Sequence, residues 1–191
     1  MSRIAEVKDE NELSSEAVEV LRFSEKAGAP DPRMAKILLR SPAGVAFLQY
    51  WAEALYKGDL PHRLKEIVRI YLSASHGCAY CSVVRSTLGA EQGIDDELLL
   101  KLDDIDTNDC LFAQEKSALR FAKKMKGGEA DSDAVFDDLR EHFTDEEIIE
   151  LGLLCGIVLG GGSFAKLLHV VTWEEVCSLK PSMQDLKNLG D

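Results

Sequence analysis

Basic residues are scarce in this chain: 22 Lys+Arg stand against 34 Asp+Glu in 191 residues, a formal net charge of -12. A surface this acidic repels phosphate, which argues against nucleic acid and anionic membranes as partners. Cysteines are few and odd in number, five in all, with Cys78 and Cys81 together and Cys110, Cys155 and Cys177 far apart. No apolar run follows the single Arg of Met1-Ser2-Arg3-Ile4-Ala5-Glu6-Val7-Lys8, so an export signal is not expected. Without one, a structural disulfide framework is not expected either, and the reading is of a cytoplasmic protein. A second Cys-x-x-Cys is missing, and His62, His76, His142 and His169 are scattered, which leaves no zinc set. Gly160-Gly161-Gly162 has no strand before it, so it is not a dinucleotide fingerprint, and no cofactor or metal is expected. Period-two alternation never persists, which excludes a thioredoxin-like βαβ fold. Repeats and long linkers are absent too, so residues 1–191 read as one all-α domain.

What is present is apolar residues at helical spacing. They make up 46% of the chain, enough for a sizeable core. Helices are predicted from Ser14 to Ala27, near Arg33–Arg40, and from Ser41-Pro42 to Tyr56. Leu64, Ile67, Val68, Tyr71 and Leu72 mark an amphipathic helix after Pro61. Further helices are predicted from Cys78 to about Gly93, around Leu98, Leu99, Leu102 and Ile105, from Phe112 to Met125, and around Val135, Leu139 and Phe143. Thr144-Asp-Glu-Glu147 is a capping box, opening a helix with Gly152, Gly156 and Gly160 four residues apart. Glycine costs a helix about 1 kcal/mol against Ala, so a closely packed partner helix is expected on that face. Leu151 to Val171 is long and apolar, yet carries Lys166 and His169; it reads as a core helix, not a membrane span. The last twenty residues read as a short helix and a tail. Cys110, Cys155 and Cys177 read as small buried hydrophobes.

Cys78 and Cys81 need their own explanation. Residues at i and i+3 share a helix face, so the two sulfurs can close a disulfide, and Gly77 lets the backbone turn sharply into that helix. The positive end of the helix favours thiolate over thiol. On the residues alone, Glu66 is explained by a surface ion pair with Arg63 or Arg69 at i−3 and i+3, and His76 by a turn.

The run Leu60-Pro-His-Arg-Leu-Lys-Glu66-Ile-Val-Arg-Ile-Tyr-Leu-Ser-Ala-Ser-His-Gly-Cys78-Ala-Tyr-Cys81 resembles the signature of the AhpD-like alkylhydroperoxidases, within the carboxymuconolactone decarboxylase superfamily. Gln114-Glu-Lys-Ser-Ala-Leu-Arg-Phe-Ala and Phe143-Thr-Asp-Glu-Glu-Ile-Ile-Glu-Leu are similar to the same family, so the likeness spans about residues 60–171. It implies a helical bundle assembling as trimers or hexamers, and a dithiol that reduces hydroperoxides and is restored by an external dithiol or redox partner protein. It assigns the attacking thiolate to Cys81, resolution to Cys78, and a proton-accepting role to Glu66. The family histidine four residues after the second cysteine is Arg85 here. Arg can stabilise a thiolate but cannot relay protons near neutral pH, and His76 is the nearest imidazole in sequence. Arg85, one turn after Cys81, is expected to bear on that sulfur. A lactone decarboxylase on the same fold and a non-enzymatic redox sensor are the alternative readings; the first has no use for a dithiol.

Overall fold

The computed structural model describes residues 2–26, 32–83, 85–102, 104–127, 133–172 and 174–175. Every regular element among them is helical. A 3₁₀ turn at Glu10–Glu12 precedes α1 (Ser15–Lys26), α2 (Arg33–Leu38) and α3 (Pro42–Tyr56). Ser41 caps α3, its hydroxyl accepting from the Ala43 amide at 3.2 Å, and Pro42 fills a first-turn position where a missing N–H costs nothing. The described chain continues through α4 (His62–Ser75), α5 (Ala79–Val83), α6 (Thr87–Glu91), α7 (Asp96–Leu100), α8 (Ala113–Gly127), α9 (Asp133–Arg140) and α10 (Asp145–Leu168).

The hub is α4. Its apolar stripe predicts a helix with one buried face, but every residue from Leu64 to Ser75 is buried. Helices α8 and α10 pack along it, with α3, α5 and α6 closing the remaining sides. Leu64, Ile67, Val68, Ile70 and Leu72 join Leu119, Leu151, Leu154 and Val158 in one continuous core. The charged positions of α4 are enclosed as well, and each has a partner, because an unpaired buried charge is prohibitively costly. Lys65, 1% exposed, lies 2.7 Å from Glu150 at the start of α10 and also donates to the Lys57 carbonyl. Glu150 in turn accepts the Asp59 and Leu60 amides at 2.9 and 3.2 Å, which fastens the α3–α4 turn to α10.

Three expectations need correction. The helix predicted from Cys78 to about Gly93 is broken into α5 and α6, because Ser86 is extended (φ -70°, ψ 150°) and caps α6 through Gly89 N. The Leu98–Ile105 segment is helical only to Leu100; Leu102 and Ile105 are buried in the turns that follow. The glycine spacing of α10 does not mark a closely packed helix among the described residues, where an added Cβ at Gly152 comes only to 3.9 Å from the Phe121 ring of α8. A Cβ at Gly156 or Gly160 would meet nothing within 4 Å among the described residues. The tight contacts fall instead at Gly161, against Phe47 and Trp51, and at Gly162, against the His76 ring.

Most other features stand as read. The capping box is formed, Thr144 N donating to Glu147 at 2.8 Å and Glu147 N to the Thr144 hydroxyl at 3.3 Å. Helix α10 is long and apolar enough to cross a membrane, yet half of its most apolar stretch is packed inside the fold. Cys155 is buried, and burial pushes its thiol up to about 12. Cys110 departs from the expectation of a buried residue and is only half-buried. Cys177 and the C-terminal segment expected to hold a short helix lie outside the described residues.

Candidate active site

The α4–α5 turn builds the dithiol. Gly77 takes φ +74°, a left-handed conformation that a side chain would strain, and the chain reverses there into α5. The Cys78 amide donates to Ser73 O at 3.0 Å, tying the start of the turn back to α4. Cys78 and Cys81 are joined by a disulfide, their Cα atoms 5.4 Å apart. The two sulfurs differ in surroundings. Cys78 is 1% exposed and packed with Ile37, Ala165 and Leu168, whereas Cys81 is half-buried and borders a cavity of about 140 Å³.

Glu66 lies on the floor of that cavity and is itself buried. Arg69 grips it with two hydrogen bonds, Nε to Oε2 at 2.8 Å and Nη2 to Oε1 at 3.0 Å. The remaining Nη1 of Arg69 reaches the Cys81 carbonyl at 2.6 Å, linking the carboxylate to the helix that carries the sulfur. The ion pair read from spacing therefore exists with Arg69, but it is buried, not on the surface. Arg63 takes no part; it pairs with Glu115 and donates to Gln92 O and Cys110 O. Burial alone would raise the Glu66 carboxyl. The Arg69 guanidinium, with the Ser86 amide donating at 2.8 Å, outweighs this and holds it below the usual carboxylate range. Glu66 is thus an anion at neutral pH.

Arg85 and His76 are placed differently. The Arg85 guanidinium pairs with Asp96 at the start of α7, which draws its charge to a carboxylate. His76 ends α4, and its carbonyl accepts from Lys166 Nζ at 3.0 Å. Its ring faces Gly162, with neither nitrogen partnered among the described residues, and burial pushes its pKa below the ordinary value. It is not among the residues lining the cavity.

A second imidazole, which spacing did not single out, contacts residues that line the cavity. His62 precedes Glu66 by one helical turn, so His62, Glu66 and Arg69 form a polar row at i, i+4 and i+7 of α4. His62 Nδ1 is 2.9 Å from Leu55 O and Nε2 is 2.8 Å from Ser86 Oγ. The Tyr56 ring stacks on the imidazole, centroids 4.9 Å apart. Tyr56 and Ser86 line the cavity with Cys81, Glu66 and Arg69. The rest of the wall is mostly apolar: Phe23, Met34, Phe47, Trp51 and Tyr80 among others. The row on α4 was visible in the sequence; Tyr56 and Ser86 reach it from separate elements and left no periodic trace. No group of His, Cys, Asp and Glu among the described residues is arranged to hold a metal ion.

The arrangement supplies a sulfur facing an apolar chamber, a second sulfur behind it, and a fixed carboxylate–guanidinium pair beneath. Comparison with known proteins shows what this arrangement is similar to. Residues 43–124, which contain α4, both cysteines and all of α3 but its first residue, match the carboxymuconolactone decarboxylase family. No curated protein matches the chain at a significant level. Among solved structures, the alkylhydroperoxidase AhpD core of an uncharacterised peroxidase-related protein from Ralstonia eutropha JMP134 superimposes with a TM-score of 0.71. It is 26% identical, and the match covers 91% of this chain and 93% of that one. The helical fold and the matched segment around Cys78 and Cys81 together support this chain as an AhpD-like member of the carboxymuconolactone decarboxylase superfamily.

Proposed function

We propose that the chain is a thiol peroxidase that reduces hydroperoxides with Cys81 and resolves the product with Cys78. The observation that carries this reading is the asymmetry of the pair: Cys81 borders the cavity above Glu66 and Arg69, while Cys78 is enclosed behind it. The Cys81 thiolate attacks the terminal peroxide oxygen; an S–O bond forms, the O–O bond breaks, and an alcohol leaves after taking a proton. Cys78 then displaces water from the sulfenic acid, giving the disulfide that this structure contains. An external dithiol or redox partner protein returns both thiols by exchange, which fits a reducing cytoplasmic location. The anionic Glu66 takes part in proton transfer at the site. Arg85, tied to Asp96, and His76, turned to α10, have secondary roles in this reading.

Assembly belongs to the same proposal. The outer face of α10 exposes Ile149, Leu153, Phe164 and Leu167 beside the open Gly156 and Gly160, an apolar stripe that a second copy of the chain would cover.

The test is turnover of cumene hydroperoxide by the reduced protein with a dithiol reductant. Activity is expected in the wild type and absent in Cys81→Ser. In Cys78→Ser the reaction stops at a sulfenic acid that dimedone labels. Labelling confined to Cys81→Ser reverses the order of the two sulfurs. No turnover by the wild type returns the dithiol to a sensing role.

A further inference from the structure

The proposed cycle needs a thiolate at both sulfurs, and Cys78 sits where one is hard to form. An external dithiol attacks the more accessible sulfur, Cys81, so Cys78 is the one that leaves, and a thiol of lower pKa leaves faster. Cys78 is 1% exposed and clustered with Ile37, Ala165, Leu168 and Val170. Burial in such surroundings favours the neutral thiol, as it does at Cys155. The helix that follows Cys78 has only five residues, Ala79–Val83, so few peptide dipoles act from that side. The backbone ahead of Cys78 opposes a thiolate: α4 ends at Ser75, and its last carbonyls carry partial negative charge into the turn. Two ammonium groups meet those carbonyls. Lys126, in the last turn of α8, donates to Ser75 O, and Lys166, in the last turn of α10, donates to His76 O at 3.0 Å. A Cβ built on Gly77 would lie 3.0 Å from Lys166 Nζ, so this charge rests against the residue that precedes Cys78. Ala165 and Leu168, on either side of Lys166 along α10, belong to the cluster that encloses Cys78.

We propose that Lys126 and Lys166 are positioning residues for Cys78: they clamp the Ser75–Gly77 turn and favour Cys78 as a thiolate when the disulfide opens. The assignment rests on the peroxidase reading above for the order of the two sulfurs. In reduction, a thiolate of the external dithiol attacks Cys81 Sγ. A mixed disulfide forms, the Cys78–Cys81 bond breaks, and its electron pair stays on Cys78 as a thiolate in the field of the two lysines. The second thiolate of the reductant then displaces Cys81, and the reductant leaves as a disulfide, its two thiol protons having gone to solvent. In the peroxide half of the cycle the Cys78 thiolate attacks the Cys81 sulfenic acid; the S–S bond forms, the S–O bond breaks, and the hydroxide leaves as water with a proton from solvent. The other charged groups at this end of the fold are engaged elsewhere. Arg3 and Arg33 donate to Leu167 O and Val170 O, and Glu175 accepts the Thr172 amide. Burial, aided by both lysine charges, holds the His76 ring below its ordinary pKa, so it adds no charge near neutral pH.

The test is the equilibrium of the Cys78–Cys81 disulfide with dithiothreitol at neutral pH, a measurement that needs no peroxide. Lys126→Met and Lys166→Met each remove a charge and keep an apolar stem. Each should shift the equilibrium about threefold towards the disulfide, and the double variant about tenfold, equivalent to about 30 mV. The rate of reduction by dithiothreitol should fall in the same order, because Cys78 becomes a poorer leaving group. Lys126→Arg and Lys166→Arg, which keep the charge, should restore the wild-type value. Lys123→Met, which removes an exposed charge from the same turn of α8, should leave it unchanged. Should a Met variant fail to fold by circular dichroism, the Gln variant at that position takes its place. Equilibria equal to wild type in folded variants, a loss that Arg does not restore, or an equal shift in Lys123→Met each overturn the proposal. A wild type that turns over no peroxide removes the peroxidase reading, and the equilibria still decide the role of the lysines separately.

Discussion

Glu66 and Arg69 form a buried pair whose worth is conditional. Two charges leave water to make it, so the pair itself adds little net stability, but removing one member strands the other. Glu66→Gln is expected to cost about 3 kcal/mol in denaturant unfolding and to slow oxidation of the dithiol, as followed by thiol titration. The pH dependence has a defined sign. The folded carboxyl is held below its reference value of 4.5, so the stability it contributes is complete above that value. It is lost as pH falls from there through the folded pKa. The gap between wild type and Glu66→Gln should therefore narrow under acid; a gap that stays constant to low pH would mean the carboxylate is not paired as described. Spacing alone revealed that Glu66 could meet Arg69, since i and i+3 are neighbours on any helix. It could not reveal burial, because that depends on helices α3, α5 and α6, which cover the polar row from elsewhere in the chain. His62 was legible only as a member of that row. Its partners Leu55 and Ser86, 7 and 24 residues away, are products of the fold.

Among the elements, long periodic helices were readable and short ones were not. Helices α3, α4, α8 and α10 each carry apolar residues over several turns, and their caps are written in Ser41, Pro42 and Thr144. The α5–α6 break was hidden because the Ser86 cap is a single local cue inside an otherwise helical spacing. Ser86 is pulled out of helical geometry when its amide reaches the Glu66 carboxylate, a contact spanning 20 residues. On α10 the glycine spacing misplaced the close approach, which falls at Gly161 and Gly162, while a Cβ at Gly156 or Gly160 meets nothing within 4 Å among the described residues. Leu153, 57% exposed on the outer face of α10, provides the check. Leu153→Asp should lower the mass seen by light scattering to the monomer value of 21.1 kDa, with folding stability changed by no more than about 0.5 kcal/mol. A wild type that already scatters as a monomer removes the assembly from the proposal.

Across the whole molecule, the fold class and the dithiol were accessible from sequence because both rest on local pattern. The chamber beside Cys81 was not, since its wall draws on α1, α2, α3, α4, α5 and α10 together. That construction joins the site to the centre of the protein. The segment immediately before the dithiol is α4, enclosed from Leu64 to Ser75, and the Cys78 amide is bonded to its last turn. Amide hydrogens of α4 should therefore be the slowest to exchange, opening only with global unfolding. Thermal loss of cysteine reactivity should superimpose on the unfolding transition followed by circular dichroism. Inactivation preceding unfolding would indicate a detachable site. Burying α4 on every side thus denies the chain a half-working state: damage anywhere in the core is reported at the sulfurs, and a molecule that still reacts is one that is still folded.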